Sequence, residues 1–152
     1  MKSIALISIL LFFVSLTNAQ SHVVFQEKDQ LILNEIYAKL DKNKEKPTAE
    51  LVALVGKTFL GTPYVAHTLE GEKEQLIVNL RELDCTTYAE NCLAIARSIK
   101  NGRNNFEGFT KELEKIRYRN GRIDQYPSRL HYFSDWIYEN NRAGYVQDVS
   151  EK

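Results

Sequence analysis

The sequence predicts an α+β domain that is helix-rich at its start and short of sheet. Amphipathic helix patterns recur from Lys28 to Asn140, whereas only four short segments read as strands. Helices with apolar faces need a covering layer, and four short strands supply little of one. The chain therefore reads as the N-terminal helical half of a fold whose main sheet is truncated.

Lys28 to Leu40 places Leu31, Ile32, Ile36 and Leu40 at helical spacing. Asp41 to Lys46 is a charged linker. Pro47-Thr48 opens a second helix, with Thr48 as N-cap, Glu50 in the first turn and Gly61 at the end. Tyr64 to Leu69 and Gln75 to Leu80 are strand candidates around a turn at Glu70-Gly71-Glu72. Thr86 to Lys100 is the strongest helix pattern of the exportable part, ending at Asn101-Gly102. Asn105 caps a further helix through Lys115. Asn120-Gly121 suits a hairpin turn between Tyr118 and Ile123. Leu130 to Asn140 reads as an aromatic-rich helix, Gly144 ends it, and Tyr145 to Val149 begins another strand-like run.

Residues 1–19 have the form of a secretory signal. Lys2 precedes an apolar run from Ile4 to Leu16, and Thr17-Asn18-Ala19 forms a small-residue cleavage site, so that Gln20 starts the mature chain. The run is shorter than the roughly 20 residues a membrane span needs. The expected organisation is a signal over 1–19, a helix and charged linker over 20–46, and a partial domain over 47–152. The expected location is periplasmic or secreted, with no stable membrane anchor after cleavage, and the expected state is a monomer. Cleavage removes Lys2 and leaves 19 basic against 20 acidic residues. That near-neutral balance argues against nucleic acid as a partner.

The two cysteines, Cys85 and Cys92, are seven residues apart on one expected helix. The helix separates them by about 10.5 Å of rise, beyond the roughly 7 Å that a disulfide spans between Cα atoms. Cys92, among Ala89, Leu93 and Ala96, reads as a small core residue. Cys85 follows Asp84 at the helix start, where free backbone N–H groups and the helix dipole favour the thiolate, the nucleophilic form. Asp84 is at the least an N-cap.

Gly61-Thr62-Pro63-Tyr64, followed by Asp84-Cys85, resembles the NlpC-type papain-like cysteine peptidases of bacterial cell walls. The longer runs Leu83-Asp84-Cys85-Thr86-Thr87-Tyr88-Ala89-Glu90 and Tyr126-Pro127-Ser128-Arg129-Leu130-His131-Tyr132-Phe133-Ser134-Asp135-Trp136 are similar to one branch, the N-acetylmuramoyl-L-alanine amidase-like proteins (domain of unknown function 1460). The resemblance runs from about Ala49 to the end. It implies a papain-like fold and a hydrolase acting on peptidoglycan or muropeptides, cleaving the amide between muramic acid and L-alanine. It implies Cys85 as nucleophile, Tyr64 beside it and Asp84 shaping the pocket. It also implies a catalytic histidine on a later strand, in a Ser/Gly-His-Val-Gly-like setting that no segment here matches.

Three histidines remain: His22 beside the cleavage site, His67 upstream of Cys85, and His131 downstream. His131 and His67 are the candidate substitute bases, each set against a packing or exposed role. Arg129, Ser134, Asp135 and Trp136 read either as a sugar or peptide contact surface or, for Trp136 with Tyr132 and Phe133, as the core stripe of a helix. No cysteine–histidine spacing suits zinc and no phosphate loop is present, so no metal or cofactor is expected. Two functions follow. One is a cysteine amidase carrying the nucleophile and lacking its base; the other is an inactive, peptidoglycan-binding or unstable fragment of such an enzyme.

Overall fold

A computed structural model describes residues 23–149. The expected signal, its cleavage site and His22 lie outside them. The order is β1 (Val23–Val24), α1 (Glu27–Leu40), α2 (Thr48–Thr58), β2 (Leu76–Ile77), α3 (Cys85–Lys100), α4 (Phe106–Arg117) and α5 (Phe133–Arg142), with single 3-10 turns between some of them. The fold is α+β with a short two-stranded sheet among the described residues: β1 and β2 pair in parallel, Val23 opposite Leu76 and Val24 opposite Ile77. No helix among the described residues is long and apolar enough to cross a membrane.

α3 is the axis of the molecule. It packs on α2 on one side and α4 on the other, and Ala94, Ile95, Ala96 and Ile99 on it are fully buried. Leu33 and Ile36 of α1, Leu51 and Val55 of α2, and Phe109, Leu113 and Ile116 of α4 complete the same core. The two small alanines let neighbouring helices approach α3 closely, as interior packing density requires. α1 thus shares its core with the enzyme-like part. The charged linker is held as well, since Lys100 Nζ donates to the carbonyls of Lys44 (2.9 Å) and Lys46 (3.0 Å). The two carbonyls solvate an ammonium that the negative end of α3 also favours.

Short caps determine where α3 and α4 start. Asp84 Oδ1 accepts from the Thr87 amide at 2.7 Å, and Asn105 Oδ1 accepts from the Gly108 amide at 2.7 Å. Gly108 sits where any Cβ would overlap the Arg103 carbonyl oxygen, part of the turn joining α3 to α4. Gly108→Ala should cost about 2 kcal/mol despite the better helix propensity of alanine, because backbone rather than a flexible side chain has to yield. Urea unfolding measures it.

Several sequence expectations need correction. Thr48 is the first residue of α2, and Pro47, not Thr48, occupies the N-cap without a side-chain hydrogen bond. Tyr64 to Leu69 is not a strand. Only Tyr64 makes a bridge, parallel to Leu83, and the chain then turns at His67, whose φ of 61° is left-handed. The second strand candidate shrinks to Leu76–Ile77. Asn120 and Gly121 do turn the chain, with φ of 57° and 62°, but they do not make a two-residue hairpin. Tyr118 bridges Arg129 rather than Ile123. The last helix starts at Phe133, so His131 precedes it. Tyr145 to Val149 forms no strand. The false strands have β-like residues but no neighbouring strand among the described residues against which a ladder could extend.

Candidate functional site

Cys85 is exposed at the first position of α3. Its helix start is rigid. The Asp84 amide donates to Thr87 Oγ1 at 2.8 Å while Asp84 Oδ1 takes the Thr87 amide, closing a reciprocal cap. The Cys85 and Thr86 amides, ahead of the first intrahelical bonds, donate to no partner among the described contacts. Just upstream, Val65 N donates to Leu83 O and Leu83 N to Pro63 O, both at 3.1 Å. The Gly-x-Pro-Tyr segment therefore lies alongside the two residues leading into Cys85, with Tyr64 72 % exposed. Asp84→Ala should remove about 0.5–2 kcal/mol of stability by stripping this cap, read by thermal unfolding.

Beside the helix start is a cavity of about 150 Å³, lined among others by His67, Glu70, Asp84, Glu90, Arg129 and His131. It brings together four of the residues singled out in the sequence: Asp84, Arg129, His67 and His131. Its floor is Glu90, buried and bonded to the equally buried Arg117 at 2.7 Å. Burial pushes the Glu90 carboxyl above its ordinary range, against the opposing charge of Arg117. Its wall is Arg129, which joins two loops. Nη2 donates to Glu70 Oε1 at 3.2 Å, Nε lies 3.1 Å from Glu74 Oε1, off-line for a hydrogen bond, and the guanidinium sits 5.3 Å from the Tyr126 ring centre. Tyr118 reinforces the clamp by donating to Glu74 Oε1 at 2.7 Å. Sequence reasoning missed Glu90, Arg117, Glu74 and Tyr118, whose side-chain partners are 27 (Glu90–Arg117) and 44 (Glu74–Tyr118) positions away. No local spacing could have revealed them.

Neither histidine reaches the sulfur. His131 Nε2 is engaged with Tyr126 O at 2.8 Å, its ring 3.9 Å from that of Tyr126, and Cys85 has no hydrogen-bond partner among the described residues. Helical geometry explains it. With 3.6 residues per turn, the cavity residues Thr86, Thr87 and Glu90 lie roughly 140° around α3 from the stripe shared by Cys85, Ala89 and Cys92.

That second stripe faces a larger, mostly apolar groove of about 560 Å³ between α2, α3 and the segment after α5. Val52, Ala53, Tyr88, Ala89, Cys92 and Trp136 are among its lining residues. Cys92 is buried, and burial pushes its thiol up to about 12, partly offset by the Tyr88 hydroxyl. Gly56 makes room for that hydroxyl, since a Cβ there would overlap it. Iodoacetamide at pH 8 should therefore alkylate Cys85 and leave Cys92 unmodified in the folded protein, as read by peptide mass spectrometry.

Arg129, Ser134, Asp135 and Trp136 do not converge. Successive residues of α5 point in different directions. Trp136 is buried and stacked on Phe133 with ring centres 5.3 Å apart. Asp135 pairs with Arg119 at 2.6 Å. Ser134 is exposed beside Ile137, Tyr138 and Asn141. Trp136 is the core stripe, and Tyr132, 77 % exposed, is not part of it. No group of three or more His, Cys, Asp or Glu among the described residues could hold a metal ion.

A family model described as AmiA-like, N-acetylmuramoyl-L-alanine amidase-like, matches residues 54–152. An N-acetylmuramoyl-L-alanine amidase from Bacteroides uniformis is 43% identical over 63% of this chain and 40% of its own, with a TM-score of 0.59. A Bacteroides fragilis protein named as a candidate xylanase is 47% identical over 59% of this chain and 41% of its own (TM-score 0.54). A Legionella pneumophila protein of the DUF1460 family is 25% identical over 78% of this chain and 38% of its own (TM-score 0.64). The chain thus spans about two fifths of the length of the solved structures it matches. No curated protein matches it. Cys85, its cap and the Arg129 clamp all fall inside the matched region, and the chain belongs to the N-acetylmuramoyl-L-alanine amidase-like family.

Proposed function

We propose that this chain is the nucleophile-bearing part of an exported cysteine amidase that cleaves the muramic acid–L-alanine amide of peptidoglycan fragments. The observation that carries it is an exposed, unpartnered Cys85 at a rigidly capped helix start inside the amidase-like match. In this reading Sγ attacks the lactyl carbonyl, and the developing oxyanion takes hydrogen bonds from the free amides at the helix start. The carbon–nitrogen bond breaks as the alanine nitrogen leaves with a proton, and water hydrolyses the thioester. Tyr64 and Asp84 frame the sulfur, and the clamp made by Arg129 holds the loop that presents Tyr64.

The chain alone is inactive in this reading, because a base must stand within hydrogen-bond reach of the thiol and His67 and His131 belong to the other flank of α3. The base comes from polypeptide equivalent to the part of the relatives that this chain does not match. The leader over 1–19 sends the protein to the periplasm or beyond as a monomer. The test is release of alanyl peptide from a muramoyl tripeptide, followed by mass spectrometry. The assay compares the chain alone, the chain extended with the unmatched part of the B. uniformis amidase, and the extended chain carrying Cys85→Ala. Turnover by the extended protein alone supports the reading. Turnover by the chain alone would move the base role to His131 or His67, and turnover by the Cys85→Ala protein would remove Cys85 from the chemistry.

A further inference from the structure

We infer that Gly56 is a positioning residue: by letting the Tyr88 hydroxyl sit against the backbone of α2, it sets how closely the Gly-x-Pro-Tyr segment lies beside Cys85. The inference rests on the reading of Cys85 as nucleophile with Tyr64 as its neighbour, and it adds a residue that acts only through others.

The contacts around Cys85 close into a ring. Gly56 is buried in the last turn of α2. The chain then turns at Phe59, whose carbonyl accepts from the Thr62 amide at 3.0 Å, and at Gly61, with φ of 85°. Pro63 O takes the Leu83 amide and Val65 N donates to the Leu83 carbonyl, each at 3.1 Å. Leu83 leads to Asp84, whose carbonyl accepts from the Tyr88 amide at 2.9 Å. The Tyr88 side chain reaches back to Gly56 and completes the circuit. Cys85 lies on the arc between Leu83 and Tyr88.

One side of this ring has a width that side chains decide. Its Leu83 side is made of backbone hydrogen bonds, whose length varies little. Its Tyr88 side is a contact between two helices, and interhelical distance follows the side chains at the contact. A Cβ on residue 56 would overlap the Tyr88 hydroxyl and lie 3.2 Å from its Cζ and 3.7 Å from Cys92 Sγ. The phenol is held where it is. Its ring meets Phe59 edge-on with centres 6.3 Å apart, and its hydroxyl lies against the Cys92 thiol. Phe59 is 6 % exposed and is the first residue of the turn toward Tyr64. A side chain at 56 therefore pushes α2 outward or drives Tyr88 off Phe59. Either motion passes through the turn at 59–62 to the two bonds at Leu83. A shift of about 1 Å at a reacting group costs on the order of a hundredfold in rate. Helix propensity favours alanine over glycine inside a helix, so the glycine here answers to space.

Amide hydrogen exchange, followed by NMR in the full chain, tests this. Gly56→Ala should speed exchange of the Val65 and Leu83 amides at least about tenfold and leave the α3 amides of residues 94–96 within about threefold of wild type. Adding Tyr88→Phe removes the overlapping oxygen and should return both amides to within about threefold of wild type. Tyr88→Ala removes the prop from the other side and should loosen the same two amides, which keeps the inference open to refutation if Gly56→Ala does not fold. Gly108→Ala is the control. It strains the far end of α3 and should affect Val65 and Leu83 no more than the α3 amides. In the extended amidase, Gly56→Ala should lower kcat at least about tenfold with KM within about twofold, again restored by Tyr88→Phe. Unchanged exchange at Val65 and Leu83, loss spread evenly over the core, or loss that Tyr88→Phe does not restore would each overturn the inference. So would an active extended protein whose kcat ignores Gly56→Ala. An extended protein without turnover that keeps the expected exchange pattern overturns the amidase reading and leaves the Gly56 contact standing.

Discussion

Arg117→Met should destabilise the protein by about 3–5 kcal/mol, the loss expected when one partner of a buried ion pair is removed and the other stays behind. Arg117 and Glu90 are each about 1 % exposed, and their 2.7 Å contact joins α4 to α3 beneath the small cavity. The same guanidinium donates through Nη1 to Ile77 O at 2.6 Å, tying β2 to both helices. Equilibrium urea unfolding gives the magnitude. Two controls separate charge from packing. Glu90→Leu with Arg117→Met removes both charges and should recover most of the loss, because the pair's mutual attraction does little more than offset its desolvation. pH gives the second. Burial raises the Glu90 carboxyl above its unfolded value, so the folded state binds that proton more tightly. Stability from this group is then fully present below the unfolded pKa of about 4.3 and is lost as pH rises through the raised folded value. The Arg117→Met defect should accordingly be smaller at pH 4 than at pH 7. A defect that is the same at both would place its origin in packing.

Cys85→Ala, in a form extended to the full length of the relatives, should lower amide hydrolysis at least about a thousandfold, since loss of a nucleophile removes the covalent route. The side chain is exposed and unbonded, so unfolding free energy should be within about 0.5 kcal/mol of wild type. The pairing of a large activity loss with no stability loss distinguishes a reacting group from a structural one. Cys92→Ala should do the opposite, because that sulfur fills space between α2 and α3 and is 1 % exposed. Cys85→Ser refines the point, as a serine hydroxyl at the same place is a far weaker nucleophile without a base tuned to it.

The features legible in the sequence were those specified within a few residues. Asp84 and Asn105 announce α3 and α4 because an N-cap acts across three positions. Gly144, with φ of 71°, ends α5 where expected. The two cysteines were separable by helix rise alone, and both are free. What escaped were partners. β1 is two residues long and pairs in parallel with a strand more than fifty positions away, a contact without a local signature. Tyr64 to Leu69 alternates like a strand, but a strand exists only with a neighbour, and the chain instead bends at His67. The site divides in the same way. Asp84-Cys85 could be placed at a helix start from the sequence. That His67 and His131 would share a cavity on the far flank from the sulfur could not be, because it depends on the Arg129 clamp to Glu70 and Glu74.

Asp29 has a consequence for the order in which the molecule assembles. Its fully buried carboxylate accepts from the amides of Gln26 (2.8 Å) and Leu80 (2.9 Å) and from Arg81 Nε at 3.1 Å. One side chain near the start of the chain thereby fixes the approach to Cys85. The contact to Leu80 spans 51 positions, a long loop closure of the kind that slows folding, so the segment leading into Cys85 depends on the distant start of α1 for its position.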